Sequence, residues 1–215
     1  GKSVLLEMYA EWLREQGVPE ERIVRVNLED LDFEPLCQPT ALHSYVKERL
    51  AKGKMTYVFI DEIQLCGDFP RVVDSLYLRP DIDIYVTGSN ANLLSHEIAT
   101  MLSGRYVEIR VLPLSFREYA NARPGIAEPQ RLYRVYTEGS SFPYAIELSN
   151  AGSELDTYLD GLYNTILVKD VMTRRRIQDP LILDSVAKFV FSNIGSELSV
   201  KRIADTLTSN GRKTD

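Results

Sequence analysis

The chain has 215 residues, of which 44% are hydrophobic and 26% charged, enough apolar content to pack one domain of ordinary size and a smaller second one. No apolar run approaches the roughly 20 residues that a membrane helix needs, and nothing at the start resembles a signal peptide, so a cytoplasmic protein with no membrane partner is expected. The net charge of −6 excludes a uniformly basic nucleic-acid binder, but the charge is uneven: residues 165–215 hold 9 Lys and Arg against 6 Asp and Glu, leaving 16 against 25 for residues 1–164.

The opening "GKSVLLEMYAEWLREQG" carries Leu5, Met8, Tyr9 and Trp12 at i, i+3, i+4 and i+7, with Glu7, Glu11 and Arg14 on the other face and Gly17 as a stop. This spacing predicts an amphipathic helix. "RIVRVNLED" then alternates as a strand does, and "TALHSYVKERLAKGK" reads as a helix. "MTYVFIDEIQ" is a nearly continuous apolar run ending in two carboxylates, which suits a strand covered on both faces in a parallel sheet. The alternation continues with "RVVDSLYL" as a helix, "DIDIYVTGSN" as a strand, "ANLLSHEIATMLSG" as a helix and "RYVEIRVLPL" as a strand. Such a chain predicts a doubly wound α/β sheet, whose ligands sit at the carboxyl ends of the strands. From "LSFREYANARPGIAEPQ" onward the strand signal fades. "ARPGIAEP" is expected as a loop, "EPQRLYRVYTEG" as a helix, "SSFPY" as a turn, and "SELDTYLDGLYNTILVKDVMTRRRI" and "PLILDSVAKFVFSNIG" as longer helices. "LSVKRIADTLTSNGRKTD" resembles the first helices of a helix-turn-helix. Cys37 and Cys66 have neither metal-ligand spacing nor histidine company, and read as reduced structural thiols.

Gly1, Lys2 and Ser3 form the closing half of the phosphate loop G-x-x-x-x-G-K-[ST]. In the complete motif, backbone N–H groups and the positive end of the next helix cradle phosphates, the lysine reaches the β/γ oxygens, and the hydroxyl ligates Mg²⁺. The tripeptide alone is common, and the second element gives it meaning. Asp61 and Glu62, delivered by the apolar strand "YVFI", supply one carboxylate for the metal and a neighbour to orient or deprotonate water. After the following strand, Thr87, Ser89 and Asn90 are each either a group that reaches a γ-phosphate or attacking water, or a cap for the helix "ANLLSHEIA"; Ser89 and Asn90 are the preferred sensors. Arg105, between a predicted helix and strand, serves either as a finger toward a neighbouring subunit or as an ordinary surface charge. Arg174–Arg176 lie on a predicted helix, where successive residues point different ways, so they are not one charge cluster.

In this order, "GKS", "YVFIDEIQ", "VTGSNANLLS", "LSGRYVEIRVLPLSFREY", "LYNTILVKDV" and "SNIGSELSVKRIADTL" resemble the AAA+ superfamily of ATPases. The nearer similarity is to a bacterial and archaeal branch that carries a helical lid, a winged helix and, beyond it, a nuclease-like domain of unknown function. The resemblance implies a three-layer P-loop NTPase sheet of strand order 5-1-4-3-2 over residues 1–122, a helical lid over 123–194, and the start of a winged helix over 195–215. It implies ATP and Mg²⁺ as cofactors, Lys2 and Ser3 as the Walker A pair, Asp61 on Mg²⁺ directly or through water, and Glu62 polarising the attacking water. It also implies a sensor at Ser89 or Asn90 and an arginine finger at Arg105. The acid pair and the lack of an N-K-x-D motif favour ATP over GTP. Two departures stand out. The strand and most of the loop that belong before Gly1 are not in this sequence, and "TEGSSFPYAIEL" replaces a more usual Gly-Gly-Phe-Pro. Because the first strand is interior in that sheet order, the natural protein is expected to extend upstream, and beyond Asp215 into the rest of the winged helix. DNA and further copies of the chain are the expected partners besides ATP. Alongside an ATPase, the residues leave open a nucleotide-gated DNA- or protein-binding switch with little turnover, and a nucleotide-free scaffold.

Overall fold

Three short apolar runs form one parallel sheet of order β1-β2-β3: β1 (Ile23–Asn27), β2 (Thr56–Asp61) and β3 (Ile82–Val86). The structure, a computed structural model, describes residues 1–88, 105–125, 128–148, 153–166, 171–172, 177 and 179–209. It divides into two units, Gly1–Leu112 and Pro113–Asp215. The sheet lies in the first. Arg25 stands opposite Phe59, Asn27 opposite Asp61, and Phe59 opposite Tyr85, so these side chains share one face by the two-residue period of a strand.

Helices cover both faces, giving the expected α/β architecture. Helix α1 (Lys2–Glu15) lies on the face of Phe59, where Ala10, Leu13, Ile23 and Phe59 are buried together and Tyr9 and Tyr85 pack beside them. Helices α2 (Pro39–Glu48) and α3 (Phe69–Tyr77) cover the other face, closing a larger core around Val24, Val26, Val58, Ile60, Leu42 and Leu76. Gly17, at φ +85°, ends α1: its N–H donates to the Arg14 carbonyl at 2.9 Å and the Val18 N–H to the Leu13 carbonyl at 3.0 Å, which is a Schellman cap.

Two expectations are corrected here. The stripe of α1 that packs on the sheet is Leu6, Tyr9, Ala10 and Leu13, whereas Met8 is 63% and Trp12 48% exposed, with Val4 and Leu5 exposed beside them. Two apolar stripes run along the helix, so spacing alone does not select the packing stripe; the sheet does. The strand expected in "RYVEIRVLPL" is absent, residues 105–112 being without regular structure, with Val107 86% and Leu112 78% exposed. Alternation supplies a strand with a face but not with a ladder, and among the described residues no strand pairs with this segment.

The second unit is helical among its described residues: α4 (Phe116–Asn121), α5 (Pro129–Glu138), α6 (Pro143–Leu148), α7 (Ser153–Thr165), α8 (Pro180–Ser192) and α9 (Val200–Ser209). The expected turn "SSFPY" gives way to α6, which begins at its proline, a residue whose fixed φ suits a first helical turn. Helix α4 was not foreseen. Its signal is Ser115 and Glu118, which form a complete capping box. Buried Tyr119 meets Tyr136 edge to face, and the Tyr136 hydroxyl donates to the Leu114 carbonyl at 3.0 Å, joining α4 to α5. The helix expected over residues 91–104 and the arginines 174–176 lie outside the described residues.

The packing stripe of α1 is open to measurement. Leu13→Ala should cost about 2–5 kcal/mol of stability in this 215-residue chain, and Met8→Ala less than about 0.5 kcal/mol, by urea denaturation. The reverse ranking would mean that α1 packs through the stripe that the spacing suggested.

Candidate functional site

The carboxyl ends of β2 and β3 bring the sequence-predicted groups together. Asp61, the last residue of β2, is only 8% exposed, and a buried carboxylate needs hydrogen-bond donors. One donor is the hydroxyl of Thr87, which is equally buried and follows β3 directly opposite. Lys2, at the first position of α1, reaches across the same end of the sheet, its Nζ donating to the Gly88 carbonyl at 2.8 Å. A lysine and a buried carboxylate separated by 59 residues of sequence thus meet at two successive residues, Thr87 and Gly88.

Glu62 adopts the left-handed conformation, at φ 53° and ψ 44°. A long side chain is uncommon there and costs about 1–2 kcal/mol. The turn is held from β3: the Glu62 N–H donates to Thr87 Oγ1 at 3.5 Å and the Ile63 N–H to the Thr87 carbonyl at 3.0 Å. The turn swings the chain off the sheet into a short 3₁₀ segment, Ile63–Leu65, whose Gln64 side-chain amide donates to the Glu62 carboxylate. Two acids adjacent in sequence therefore have different settings, Asp61 buried at the strand end and Glu62 half-buried on the turn.

Ser3 and Asp61 both line one cavity of about 870 Å³ that is lined along its length by β1, Ile23–Asn27. A hydroxyl and a carboxylate are hard oxygen donors of the kind Mg²⁺ takes. The first turn of α1 carries no acidic residue and Gly1 gives it no side-chain cap, so no side chain of the turn itself competes for its N–H groups. These residues fit a magnesium-bound phosphate group. Gly1 has open space around it and is not required by crowding. Ser89 and Asn90 lie outside the described residues. Arg105 is not brought to these groups: it is more than half exposed and pairs with Asp74 of α3 at 3.6 Å. In the sequence Thr87 is one of three polar residues after the strand, with Ser89 and Asn90 preferred; the strand register, which sets it opposite Asp61, is the signal that singles it out. Gln64 was missed as a site residue, although it closes the "DEIQ" run.

The left-handed turn yields a prediction. Glu62→Gly should leave folding stability within about 1 kcal/mol or raise it, because glycine adopts this conformation without strain. The same substitution removes the carboxylate. A loss of several kcal/mol in denaturant titration would show that the Glu62 side chain is a structural support.

Residues 1–120 match a family described as AAA domain. The chain is 36% identical over 213 residues to an uncharacterized protein of Haemophilus influenzae, covering 97% of this chain and 53% of that protein. It is 27% identical over 201 residues to an uncharacterized protein of Methanocaldococcus jannaschii, covering 87% and 42% respectively. The chain thus spans about half the length of the curated relatives it matches. No solved structure matches it.

Proposed function

The chain belongs to the AAA domain family, and from this we propose that it is a Mg²⁺-dependent ATPase in which binding and hydrolysis of ATP drive or time a conformational change. The observation that carries this reading is the convergence of Lys2, Asp61 and Glu62 on Thr87 and Gly88 at one end of the sheet. Lys2 would exchange the Gly88 carbonyl for phosphate oxygens, and the N–H groups opening α1 would bind the same anion. Ser3 and Asp61 would hold Mg²⁺, which when bound neutralises phosphate charge. Glu62, half-exposed on its turn, would orient the attacking water and take its proton. In this reading Ser89 or Asn90 senses the γ-phosphate, and Arg105 extends toward a neighbouring copy as a finger. The helices of residues 123–194 act as a lid and residues 195–215 begin a winged helix that contacts DNA in the longer protein. We place the protein in the cytoplasm; among the described residues no helix is long and apolar enough to cross a membrane.

A nucleotide-gated switch with little turnover is the second reading, favoured by the basic balance of residues 165–215 and by exposed Lys201 and Arg202 on α9. DNA binding that weakens steeply with salt and changes with ATP would support it.

We also read the exposed Val4, Leu5, Met8 and Trp12 face of α1, with the outer edge of β3, as the seat of a further strand supplied by the longer protein. Residues Asp83–Val86 are half-buried where β2 is mostly buried, as befits a strand that, among the described residues, is paired on one edge. In the longer protein, amide hydrogen exchange at residues 82–86 should be slower than in this chain by about tenfold or more. Equal rates would sink this part of the reading.

For the chemistry, Lys2→Ala in the full-length protein should weaken ATP binding by about 10- to 100-fold. Glu62→Gln should bind ATP and fail to release phosphate. Unchanged turnover in Glu62→Gln would falsify the role given to that carboxylate.

A further inference from the structure

The tip of β3 carries a residue whose contacts exceed what the fold asks of it. Thr87 is 8% exposed and uses its backbone as a strand end would, its N–H donating to the Ile60 carbonyl at 3.0 Å and its carbonyl accepting from the Ile63 N–H at 3.0 Å. Its hydroxyl then makes two further bonds in opposite senses. The proton goes to Asp61 Oδ1, and a lone pair accepts the N–H of Glu62. A hydroxyl can donate and accept at once, which neither a methyl group nor a carboxylate can do in this setting.

Resting on the ATPase reading, we propose that Thr87 is a positioning residue for the acid pair. Its hydroxyl holds the Asp61 carboxylate in the orientation that presents the other oxygen to a divalent cation, and fixes the left-handed turn from which Glu62 reaches water. The role differs from that of a sensor in the groups engaged, which are the Asp61 carboxylate and the backbone N–H of Glu62. It also gives the β3 tip a second task, since the next residue, Gly88, is the acceptor of Lys2. Threonine meets the demand better than serine on one count only: its branched Cβ suits the extended backbone of a strand end. The hydroxyl is the part both residues share.

The test uses the full-length protein with ATP as substrate and Mn²⁺ as a paramagnetic stand-in for Mg²⁺. Thr87→Val, nearly the same in shape, should lower kcat and Mn²⁺ affinity, the latter read by electron paramagnetic resonance, by about 10- to 100-fold, the size expected when an outer partner of a metal ligand is lost. ATP binding measured without metal should stay within about threefold, because Lys2 is untouched. Thr87→Ser should restore both quantities to within about threefold of the original. Wild-type kcat in Thr87→Val, or a Thr87→Ser protein as impaired as Thr87→Val, overturns the proposal, the second because it assigns the effect to packing of the methyl group. If Thr87→Val and Thr87→Ala both lose the circular dichroism of the folded protein, the hydroxyl supports the fold and the positioning role is likewise overturned. An original protein that neither binds nor hydrolyses ATP refutes the ATPase reading itself, whereas normal turnover with an indifferent Thr87→Val refutes the role of Thr87 alone.

Discussion

Strand β2 is hydrogen-bonded along both edges and covered on both faces, and the placement of everything else in the first unit follows from that confinement. Its backbone has no water to turn to, so the ladders to β1 and β3 must be in register along its length. Its side chains have no exposed face, so the run from Val58 to Ile60 is apolar without interruption. A carboxylate is tolerable only where the strand ends, and Asp61 stands there with the Thr87 hydroxyl as its donor. The site is thus located by the limit of burial: chemistry begins where β2 stops being enclosed.

The two faces of the sheet are unequally covered. On the side of α2 and α3, valine, isoleucine and leucine form one continuous core. On the side of α1 the layer is aromatic, with Tyr9 against Phe59 and Tyr85, and Phe59 stacked on Tyr85 at 5.1 Å between ring centroids. The Tyr85 hydroxyl bonds to Asp83 at 2.6 Å, and burial followed by that bond holds its phenol protonated well above the usual range. Helix α1 contributes one stripe to this layer and leaves a second apolar stripe turned away from it. A helix that is apolar on two sides belongs between two surfaces, which is why the edge of β3 and the outer face of α1 are read together.

Sequence and structure agree best where one physical demand dominates. "YVFID" declares a doubly covered strand with a polar terminus, and nothing else in the chain competes with that reading. The strand order, by contrast, is implied by the family resemblance, and the bond of Lys2 to Gly88 emerges only in the fold. Agreement fails where a choice depends on a partner that lies far off in sequence. The periodicity of α1 contains two apolar stripes, and the sheet residues Ile23, Tyr57, Phe59 and Tyr85 decide that Ala10 and Leu13 go inward. Residues 105–112 have the alternation of a strand, but pairing is a property of two segments. Thr87 was hidden among three polar residues because hydroxyl-bearing residues after a strand are common helix caps; opposition to Asp61 is what distinguishes it. The capping box at Ser115 and Glu118 is a different case, a local signal that was present in the sequence and overlooked.

The consecutive order of the strands has a kinetic side. Pairing of Ile23 with Tyr57 closes a segment of 34 residues and pairing of Thr56 with Ile82 one of 26. Loop-closure entropy rises only as the logarithm of length, so the two closures differ by about 0.2 kcal/mol and neither has to wait for the other. Each strand pairing therefore joins strands consecutive along the chain, whereas the cover of α1 reaches further, Tyr85 meeting Tyr9 across 76 residues. The two ladders of the sheet can thus form in chain order during synthesis, before the last helices of the second unit have been made.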